Sequence, residues 1–357
     1  MAKRKYLFYT RSLSGGGAEP VWTQLASLFA ETGDEVVLAL DTFGEPATLP
    51  SAALRIEIVG TGAREGIGAL ARLIRQMQPD VALSAIAANT LKLTLASLRA
   101  GRRTPLVFSV HGLVEHRSGK LSAAAMYSLP LLGRAARRIV AVSDGVRDAL
   151  VNDWGADPAK TVRIYNPVRH QPPVECAAAL AARPPHVVGI GRLSPEKGFD
   201  VLIDAFAKVR HAGATLSIAG AGPEGPALQA RIAALGLSER ARLVGFVDPA
   251  ALYRSARLCV VPSRSEAFSL VAVEALSAGL PVVATDCDGP REILAGGIGR
   301  IVPIDDPAAM AAAIDATLAD PGDHAPRIER AQAFSTEASF AEWSKLLDAV
   351  VSESRSR

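Results

Sequence analysis

The chain has 357 residues, of which 49% are hydrophobic and 21% charged, and its net charge at pH 7 is only +3. This length suits two domains that each bury a core, and no apolar run approaches the roughly 18 residues that a membrane-spanning helix needs. The three cysteines include no C-x-x-C pair, which argues against a disulfide framework or a zinc site and favours a reduced cytoplasm.

The charge is divided unevenly between the two halves of the chain. Residues 1–167 carry 20 Lys and Arg against 14 Asp and Glu, whereas residues 168–357 carry 19 against 22. Basic clusters recur in the first half, at 3–5, 99–103 and 134–138. They are typical either of solvated helix ends or of a surface for an anionic partner, such as a phospholipid membrane or a phosphorylated acceptor. No nucleic-acid partner is predicted, because aromatic residues are few and none alternates with the basic ones.

Short apolar, β-branched segments alternate with helical patterns along the first half. The basic start precedes the strand candidate YLFYT, since Tyr9, Thr10 and Arg11 end the apolar run too early for a signal peptide. The next strand candidates are EVVLAL, RIEIVG, DVALSAI, LVFSVHG, RIVAVSD and TVRIYN. The helix candidates between them are Glu19–Glu31, Gly66–Gln76, Asn89–Ala100, Ser122–Arg137 and Asp144–Asn152.

A proline-rich segment separates the two halves, and alternation then resumes with HVVGIGRL, TLSIAG, RLVGF, LCVVPS, PVVATD and GRIVP. Continuous apolar strands alternating with helices predict parallel sheets covered on both faces. The predicted fold class is therefore α/β, with two doubly wound, Rossmann-like domains at residues 1–168 and 186–335. Residues 169–185 form the predicted linker, with at most one short helix. Residues 336–357 are predicted to form a C-terminal helix that can return to the first domain.

Ligands of such sheets bind beyond the carboxyl ends of the strands, beside helix N-termini, so the cleft between two similar domains is the predicted site. Gly15, Gly16 and Gly17 follow the first strand, where backbone N–H groups and a helix N-terminus can bind a phosphate, although a plain turn is the alternative. The segment GAGPEG at 220–225 matches G-x-G-x-x-G. It follows the second strand of its domain and lacks the acidic partner for a ribose, which disfavours a nicotinamide or flavin site.

The segment GRLSPEKG follows the first strand of the second domain and carries Arg192 and Lys197 around a Ser-Pro-Glu turn. Two cations on one loop, with a helix N-terminus beside them, form a clamp for a diphosphate. The alternative is a pair of solvated loop cations, which explains either residue alone better than both together.

Two glutamates, Glu266 and Glu274, lie eight residues apart in the apolar segment SRSEAFSLVAVEALSAGLPVVATD. On a continuous helix this spacing corresponds to ~12 Å, too far for the carboxyl pair of a typical glycosidase. Each carboxylate can instead accept hydrogen bonds from sugar or ribose hydroxyls. Between the two glutamates, the N–H groups of Phe268, Ser269 and Leu270 are predicted to form the first helical turn and to receive phosphate oxygens.

His111 ends the strand candidate LVFSVHG in the first domain. A histidine at a strand end more often caps or packs, and composition alone favours that interpretation. Its predicted position on the cleft side also makes it a candidate to contact a substrate hydroxyl.

Together, these segments resemble the family-four retaining glycosyltransferases of the GT-B fold, whose two Rossmann-like domains face each other across a cleft. The resemblance covers nearly the whole chain, and Glu266-x7-Glu274 matches the E-x7-E signature of that family. The other matching segments are GGGAE at 15–19, VSDGVRDAL at 142–150, IYNPV at 164–168, GRLSPEKGFD at 191–200 and GAGPE at 220–224.

The resemblance implies a role for each matching residue. Arg192 and Lys197 resemble the residues that bind the donor diphosphate and offset the charge of the leaving group. Glu274 matches the glutamate that holds the ribose hydroxyls, and Glu266 the one that contacts the transferred sugar. His111 matches the histidine near the C6 hydroxyl of the sugar. These roles make Arg192, Lys197, Glu266 and His111 the expected catalytic residues.

The remaining donor contacts are also implied by the resemblance. Gly16 and Gly17 match the loop that shapes the acceptor side and approaches the donor phosphates. The base is expected along GAGPE and along VGFV, which includes Phe246. Two departures stand out: Pro20 replaces a common Arg or Lys, and Glu-Ala-Phe-Ser replaces the usual Glu-Gly-Phe-Gly. Both can change the acceptor or sugar preference.

The activity expected from the resemblance is retaining transfer of a hexose or N-acetylhexosamine from a nucleotide diphospho-sugar, UDP-linked by preference and GDP-linked as the alternative. The acceptor is expected to be a glycan or lipid-linked hydroxyl in the synthesis of surface polysaccharide, lipopolysaccharide or glycoconjugates. No cofactor and no metal are expected, because the fixed cations Arg192 and Lys197 make a metal unnecessary for binding the diphosphate. A cytoplasmic location is expected, with peripheral binding to the inner face of the membrane as an option. The alternatives are a non-catalytic nucleotide-sugar-binding subunit and a GT-B epimerase or phosphorylase.

Overall fold

The computed structural model describes residues 3–355, apart from residues 16, 46–49, 86, 102–103, 114–122 and 125–126. The chain divides into two compact units. The first unit comprises Met1–Pro167 and Glu337–Arg357, and the second comprises Val168–Thr336. Among the described residues, no helix combines the length and the apolar character that crossing a bilayer requires.

The first unit contains a parallel sheet in the order β3-β2-β1-β4-β5-β6-β7, counted over its described residues. β1, β2, β4 and β5 are almost wholly buried, as the continuous apolar segments predict for strands with both faces covered. The strands are β1 (Lys5–Thr10), β2 (Glu35–Leu40), β3 (Arg55–Ile58), β4 (Val81–Ala85), β5 (Leu106–Val110), β6 (Ala136–Ala141) and β7 (Thr161–Arg163).

Helices connect these strands. They are α1 (Ala18–Glu31), α2 (Ala63–Met77), α3 (Ala87–Ala100), α4 (Leu129–Ala135) and α5 (Asp144–Asn152). Ser143 begins α5 by accepting a hydrogen bond from the Val146 N–H at 3.2 Å, a typical N-cap. The helix candidate Ser122–Arg137 was too long at its C-terminal end, because β6 already starts at Ala136. Its first part lies mostly outside the described residues.

The second unit contains a parallel sheet in the order β10-β9-β8-β11-β12-β13. Its strands are β8 (His186–Ile190), β9 (Thr215–Ala219), β10 (Ala241–Gly245), β11 (Leu258–Val261), β12 (Val282–Thr285) and β13 (Arg300–Val302). Its helices are α6 (Ala177–Ala182), α7 (Phe199–Phe206), α8 (Gly225–Ala234), α9 (Pro249–Ser255), α10 (Leu270–Ser277), α11 (Asp288–Ile293), α12 (Pro307–Ala319) and α13 (Ala325–Gln332). Short 3-10 turns lie at Pro195–Lys197 and Ala295–Gly297.

The last helix, α14 (Thr336–Arg355), packs in the core of the first unit. Trp343 is buried there, with its ring 5.8 Å from that of Trp22 in an edge-to-face arrangement. Residues 169–185, predicted as a linker, are held against the second unit. The N–H groups of Gln171 and Val174 donate to Ser277 and Ala278, at the end of α10.

The two sheets, each parallel and interleaved with helices, confirm the predicted architecture of two doubly wound, Rossmann-like domains. In both sheets the strand order reverses beside the first strand, between β1 and β4 and between β8 and β11. Loops that leave neighbouring strands on the two sides of such a reversal open a crevice at the carboxyl edge of the sheet. These reversals are therefore where functional side chains should be sought.

Candidate active site

Lys197 and Glu266 meet at the strand-order reversal of the second unit. Lys197 lies in the turn after β8, and Glu266 in the loop after the neighbouring strand β11. The Lys197 Nζ donates to Glu266 Oε2 at 2.6 Å, and the Ser263 hydroxyl donates to the same oxygen at 3.0 Å. The structure thus brings together the cation predicted to bind a diphosphate and the carboxylate predicted to bind the sugar.

Arg192 lies on the same turn but has a different partner. Its Nη2 donates to Glu196 Oε1 at 2.7 Å, and the Ser194 hydroxyl donates to that oxygen at 2.6 Å. Burial alone would raise the pKa of Glu196, but the hydrogen bonds from Ser194 and Arg192 outweigh it and hold that pKa at about 2. Glu196 is therefore ionised at neutral pH and neutralises Arg192.

Arg264 ties the two loops together. Its guanidinium donates to the Pro195 carbonyl at 2.7 Å, to both oxygens of Asp200 at 2.9 and 2.7 Å, and to Asp305 at 2.7 Å. Its backbone N–H donates to the Glu196 carbonyl at 2.8 Å. Because a guanidinium offers five N–H groups in a fixed plane, one side chain can orient the turn that carries Lys197 and the loop that carries Glu266.

Glycines allow the loops after β8, β9 and β11 to touch. Gly198 has a φ of 65°, and a Cβ there would overlap the carbonyl oxygen of Pro262. A Cβ on Gly220 would overlap the Gly191 carbonyl oxygen, and one on Gly222 would overlap that of Leu193. The GAGPE segment therefore packs directly against the backbone that carries Arg192.

The helix α10 begins at Leu270, with Ser269 as its N-cap. The Ser269 hydroxyl accepts from the Ala272 N–H at 3.2 Å. Two N–H groups of the first turn, those of Leu270 and Val271, have no hydrogen-bond partner among the described residues. Leu270 belongs to the predicted set of Phe268, Ser269 and Leu270, and the Val271 N–H adds a donor one residue further along the chain.

The side chain of Phe268, whose backbone N–H is predicted to receive a phosphate oxygen, is buried. Its ring packs edge-on against Phe334, with 5.8 Å between the ring centroids. A Cβ on Gly289, at the start of α11, would come within 2.8 Å of the Phe268 nitrogen, so that helix lies closely against this part of the loop. The Phe268 side chain therefore anchors the loop, and only its backbone is a candidate for ligand contact.

Glu274 lies inside α10 and is half-buried. The Tyr253 hydroxyl donates to Glu274 Oε2 at 2.9 Å. Burial raises the pKa of Glu274 to about 7, and the hydrogen bond from Tyr253 lowers it only partly. A carboxyl with this pKa is poorly solvated when ionised, and donors such as ribose hydroxyls would stabilise its charged form.

Phe246 is highly exposed, at 86%. It follows β10, whose last residue, Gly245, has a φ of 69° and accepts through its carbonyl from the Gly220 N–H at 2.8 Å. The loop that carries Phe246 thus lies beside the loop after β9, which in turn contacts the loop after β8. An exposed aromatic ring at a sheet's carboxyl edge offers a flat face for a nucleotide base.

The glycine loop and His111 belong to the first unit. Gly16 lies outside the described residues. Gly17 is the N-cap residue of α1, and the buried Glu19 accepts from the Arg11 side chain at 2.9 Å. Gly17 therefore stands at a helix N-terminus after β1, where the sequence predicts it.

His111 follows β5 directly. Its Nε2 lies 3.0 Å from the Ser109 hydroxyl, and its Nδ1 is buried with no hydrogen-bond partner in the described part of the chain. Its ring packs edge-on against Trp22 at 6.1 Å. Burial lowers the pKa of His111 to about 4, so the ring is neutral at pH 7. The predicted contact with a sugar hydroxyl would use Nδ1, and it stays a prediction.

Sequence reasoning missed five residues that position the site, and the Val271 N–H at the start of α10. The five are Ser194, Glu196, Tyr253, Ser263 and Arg264. Ser194 and Glu196 stood inside the quoted SPEK turn, and an i, i+4 spacing between Arg192 and Glu196 was a usable signal. Tyr253 and Arg264 contact residues that are distant in sequence, Glu274 and Asp200, so no local sequence pattern indicated their roles. No group of three or more His, Cys, Asp or Glu able to hold a metal ion occurs among the residues that the structure describes.

Comparison with known proteins places the chain in a family. Residues 15–172 match the family model described as Glycosyltransferase Family 4, and residues 184–320 match Glycosyl transferases group 1. A D-inositol 3-phosphate glycosyltransferase of Catenulispora acidiphila is 32% identical over 294 residues, which cover 73% of this chain and 69% of that protein. The chain belongs to glycosyltransferase family 4. This confirms the resemblance seen in the motifs.

Other relatives of this family 4 chain match over shorter stretches. A second D-inositol 3-phosphate glycosyltransferase of C. acidiphila is 33% identical over 66% of the chain, and the match spans 63% of its own length. A phosphatidyl-myo-inositol mannosyltransferase of Mycobacterium leprae is 39% identical over 50% of the chain and 49% of its own length. The chain therefore spans less than two thirds of the length of some of its curated relatives.

Solved structures confirm the GT-B fold predicted for this family 4 chain. Anabaena HepE, solved in complex with UDP, superposes with a TM-score of 0.80 at 22% identity, covering 97% of this chain and all of that one. Sucrose-phosphate synthase of Thermosynechococcus elongatus superposes with a TM-score of 0.84 at 20% identity, covering 98% and 100%. At such identities the likeness is one of fold.

Proposed function

We propose that the chain transfers a hexose or N-acetylhexosamine from a nucleotide diphospho-sugar to an acceptor hydroxyl, with retention at the anomeric carbon. The observation that carries this proposal is the convergence of Lys197 and Glu266 at the strand-order reversal, on loops locked together by Arg264. The N–H groups of Leu270 and Val271, for which the described part of the chain supplies no partner, lie in the same unit, four and five residues beyond Glu266. Cations and N–H donors fit a diphosphate, and a carboxylate fits sugar hydroxyls.

The proposed mechanism is electrostatic. As the glycosidic bond breaks, negative charge grows on the leaving diphosphate, and Lys197, Arg192 and the N-terminus of α10 stabilise it. The acceptor hydroxyl attacks from the face that the diphosphate leaves, and the departing phosphate accepts its proton. Because the protein's own cations supply the positive charge, we expect turnover to be independent of divalent metal and to persist in excess EDTA.

The donor is proposed to be a UDP-sugar, with a GDP-sugar as the alternative. Anabaena HepE, which shares the fold, is solved with UDP and with UDP-glucose. The acceptor is proposed to be a hydroxyl of a glycan, a glycolipid or a phosphorylated polyol. Support comes from the names of two relatives, a D-inositol 3-phosphate glycosyltransferase and a phosphatidyl-myo-inositol mannosyltransferase. We place the reaction in the synthesis of polysaccharide, lipopolysaccharide or other glycoconjugates. Thermal-shift screening of nucleotide sugars would identify the donor, because a ligand of the folded state raises its melting temperature.

The test of the mechanism is Lys197→Ala, assayed with the donor so identified. Loss of one preorganised charge should lower kcat by roughly 100- to 1,000-fold, while the melting temperature stays close to that of the wild type. Lys208→Ala, at an exposed position beyond α7, removes the same charge as a control and should retain full activity. Near-normal turnover of Lys197→Ala would refute the proposed clamp. Release of an epimerised sugar, or phosphate-dependent cleavage with donor and water alone, would favour an epimerase or phosphorylase.

We also propose that the first unit binds an anionic membrane surface. α3 packs against α4, and each exposes a large apolar side chain beside a basic one: Leu98 with Arg99, and Leu131 with Arg134. Apolar side chains next to cations suit the interface of an anionic bilayer. The chain should sediment with phosphatidylglycerol-containing liposomes at low salt and less so at moderate salt. Failure to sediment at low salt would end this proposal.

A further inference from the structure

Both cations predicted to bind the donor diphosphate are already paired with carboxylates of the same unit. Lys197 is paired with Glu266, and in the proposed function Glu266 also binds the hydroxyls of the transferred sugar. Arg192 is paired with Glu196, and the proposed function gives Glu196 no role. An ionised carboxylate on a cation that must bind a phosphate is a competitor for that cation.

The backbone of the turn holds Glu196 in a position from which its side chain reaches Arg192. Its backbone carbonyl is fixed by the Arg264 N–H, and the N–H groups of Lys197 and Gly198 close the turn around it onto Ser194 and Pro195. Its Oε1 receives both the Ser194 hydroxyl and the Arg192 guanidinium. The pair is nevertheless accessible to a ligand, since the Arg192 side chain is 62% exposed and that of Glu196 37%.

We propose that Glu196 is a specificity-determining residue that occupies Arg192 as an internal anion until the donor diphosphate displaces it. This inference rests on the proposed function. A ligand must offer Arg192 more negative charge than one carboxylate does, and a diphosphate meets this requirement better than a single phosphate. Glu196 therefore weakens the binding of all phosphates, and it weakens the binding of monophosphates most.

The experiment measures affinities of UDP, UMP, GDP and GMP by isothermal titration calorimetry for the wild type and for Glu196→Gln. The variant should bind the preferred diphosphate about three- to sixfold more tightly, because a partly exposed ion pair competes only modestly. The monophosphate should gain more than the diphosphate, and equal gains would contradict a role in specificity. Ser194→Ala, which removes one of the two donors to Glu196, should change affinity less. Glu239→Gln removes the same charge at an exposed position before β10, at the opposite edge of the parallel sheet, and should leave affinity unchanged.

A double-mutant cycle separates competition for Arg192 from a general charge effect. If Glu196 acts through Arg192, the gain disappears when Glu196→Gln is made in an Arg192→Ala background. Unchanged or weaker binding by Glu196→Gln alone, or a gain that persists without Arg192, would overturn the inference while leaving the proposed function intact. A wild-type chain that binds none of the four nucleotides would refute both.

Discussion

Replacing Glu274 by Gln should make the protein more stable and a poorer binder of nucleotide. Glu274 is half-buried within α10, and desolvation raises the pKa of its carboxyl from 4.5 to about 7. The folded state therefore prefers the protonated carboxyl, so ionisation destabilises the fold. This penalty is absent below pH 4.5, grows as the pH rises, and is complete above pH 7. Gln keeps the size of the side chain and an oxygen for the Tyr253 hydroxyl, but it carries no charge.

The magnitude follows from the two pKa values. The gap between 4.5 and 7 corresponds to about 3 kcal/mol of unfolding free energy at pH 8, and to about 1 kcal/mol at pH 5. The advantage of Glu274→Gln over the wild type should thus grow by about 2 kcal/mol between these pH values. For a unit of this size, the difference in melting temperature should widen by roughly 4–8 °C. Comparing the two proteins at each pH cancels every other titrating group.

The assay is differential scanning fluorimetry at pH 5 and pH 8, followed by calorimetric titration with UDP or GDP. A hydrogen bond to a charged group contributes about 1.5–3 kcal/mol, so Glu274→Gln should bind the nucleotide roughly 10- to 100-fold more weakly. Wild-type affinity, relative to the variant, should fall as the pH drops from 8 to 6, because binding requires the ionised carboxyl. A stability difference that does not change with pH would refute the reasoning, since the carboxyl would then not be desolvated.

Two further predictions concern the loops that carry the site. Gly198→Ala places a Cβ against the Pro262 carbonyl oxygen at a φ of 65° and should destabilise the second unit by about 3 kcal/mol in urea unfolding. Gly213→Ala, with a φ of 70° but no atom closer than 4.0 Å, should cost only about 1 kcal/mol, and equal losses would contradict the steric argument. Arg264→Ala should lower kcat/KM for the donor about 10- to 100-fold, because the turn of Lys197 and the loop of Glu266 lose their common anchor. Steady-state kinetics and a normal circular-dichroism spectrum would test this, and an unchanged kcat/KM would show that Arg264 anchors neither.

Local patterns in the sequence predicted the parts of the fold that depend on local physics. Apolar runs marked the strands because both faces of each sheet are covered, and Ser143 and Ser269 stand at helix starts where serine is a preferred cap. The loops after β8 and β11 were identified because they follow strands and carry charge. Predicting them required only the rule that ligands bind at the carboxyl edge of parallel strands.

The pairing of the site residues could not be predicted, because it depends on which strands are neighbours. β8 and β11 are adjacent in the sheet although two strands separate them along the chain, and only this adjacency brings Lys197 onto Glu266. The same holds for Arg264, whose partner Asp200 is 64 residues away in sequence. The raised pKa of Glu274 could not be predicted from the sequence either, since it depends on burial in the fold rather than on neighbours along the chain.

The two cation pairs differ in how easily a ligand can separate them. The Arg192–Glu196 pair is largely exposed, and such pairs contribute about 0–1 kcal/mol, so a diphosphate can replace Glu196 at little cost. Glu266 is only 14% exposed, so when a diphosphate takes Lys197 from it, the carboxylate keeps Ser263 and needs another donor. A sugar hydroxyl is such a donor, and free UDP or GDP has no sugar in that position. We therefore expect recognition of the diphosphate and of the sugar to be coupled through Lys197. An intact nucleotide sugar gives Glu266 a hydroxyl donor in place of Lys197, whereas the bare nucleotide gives it none.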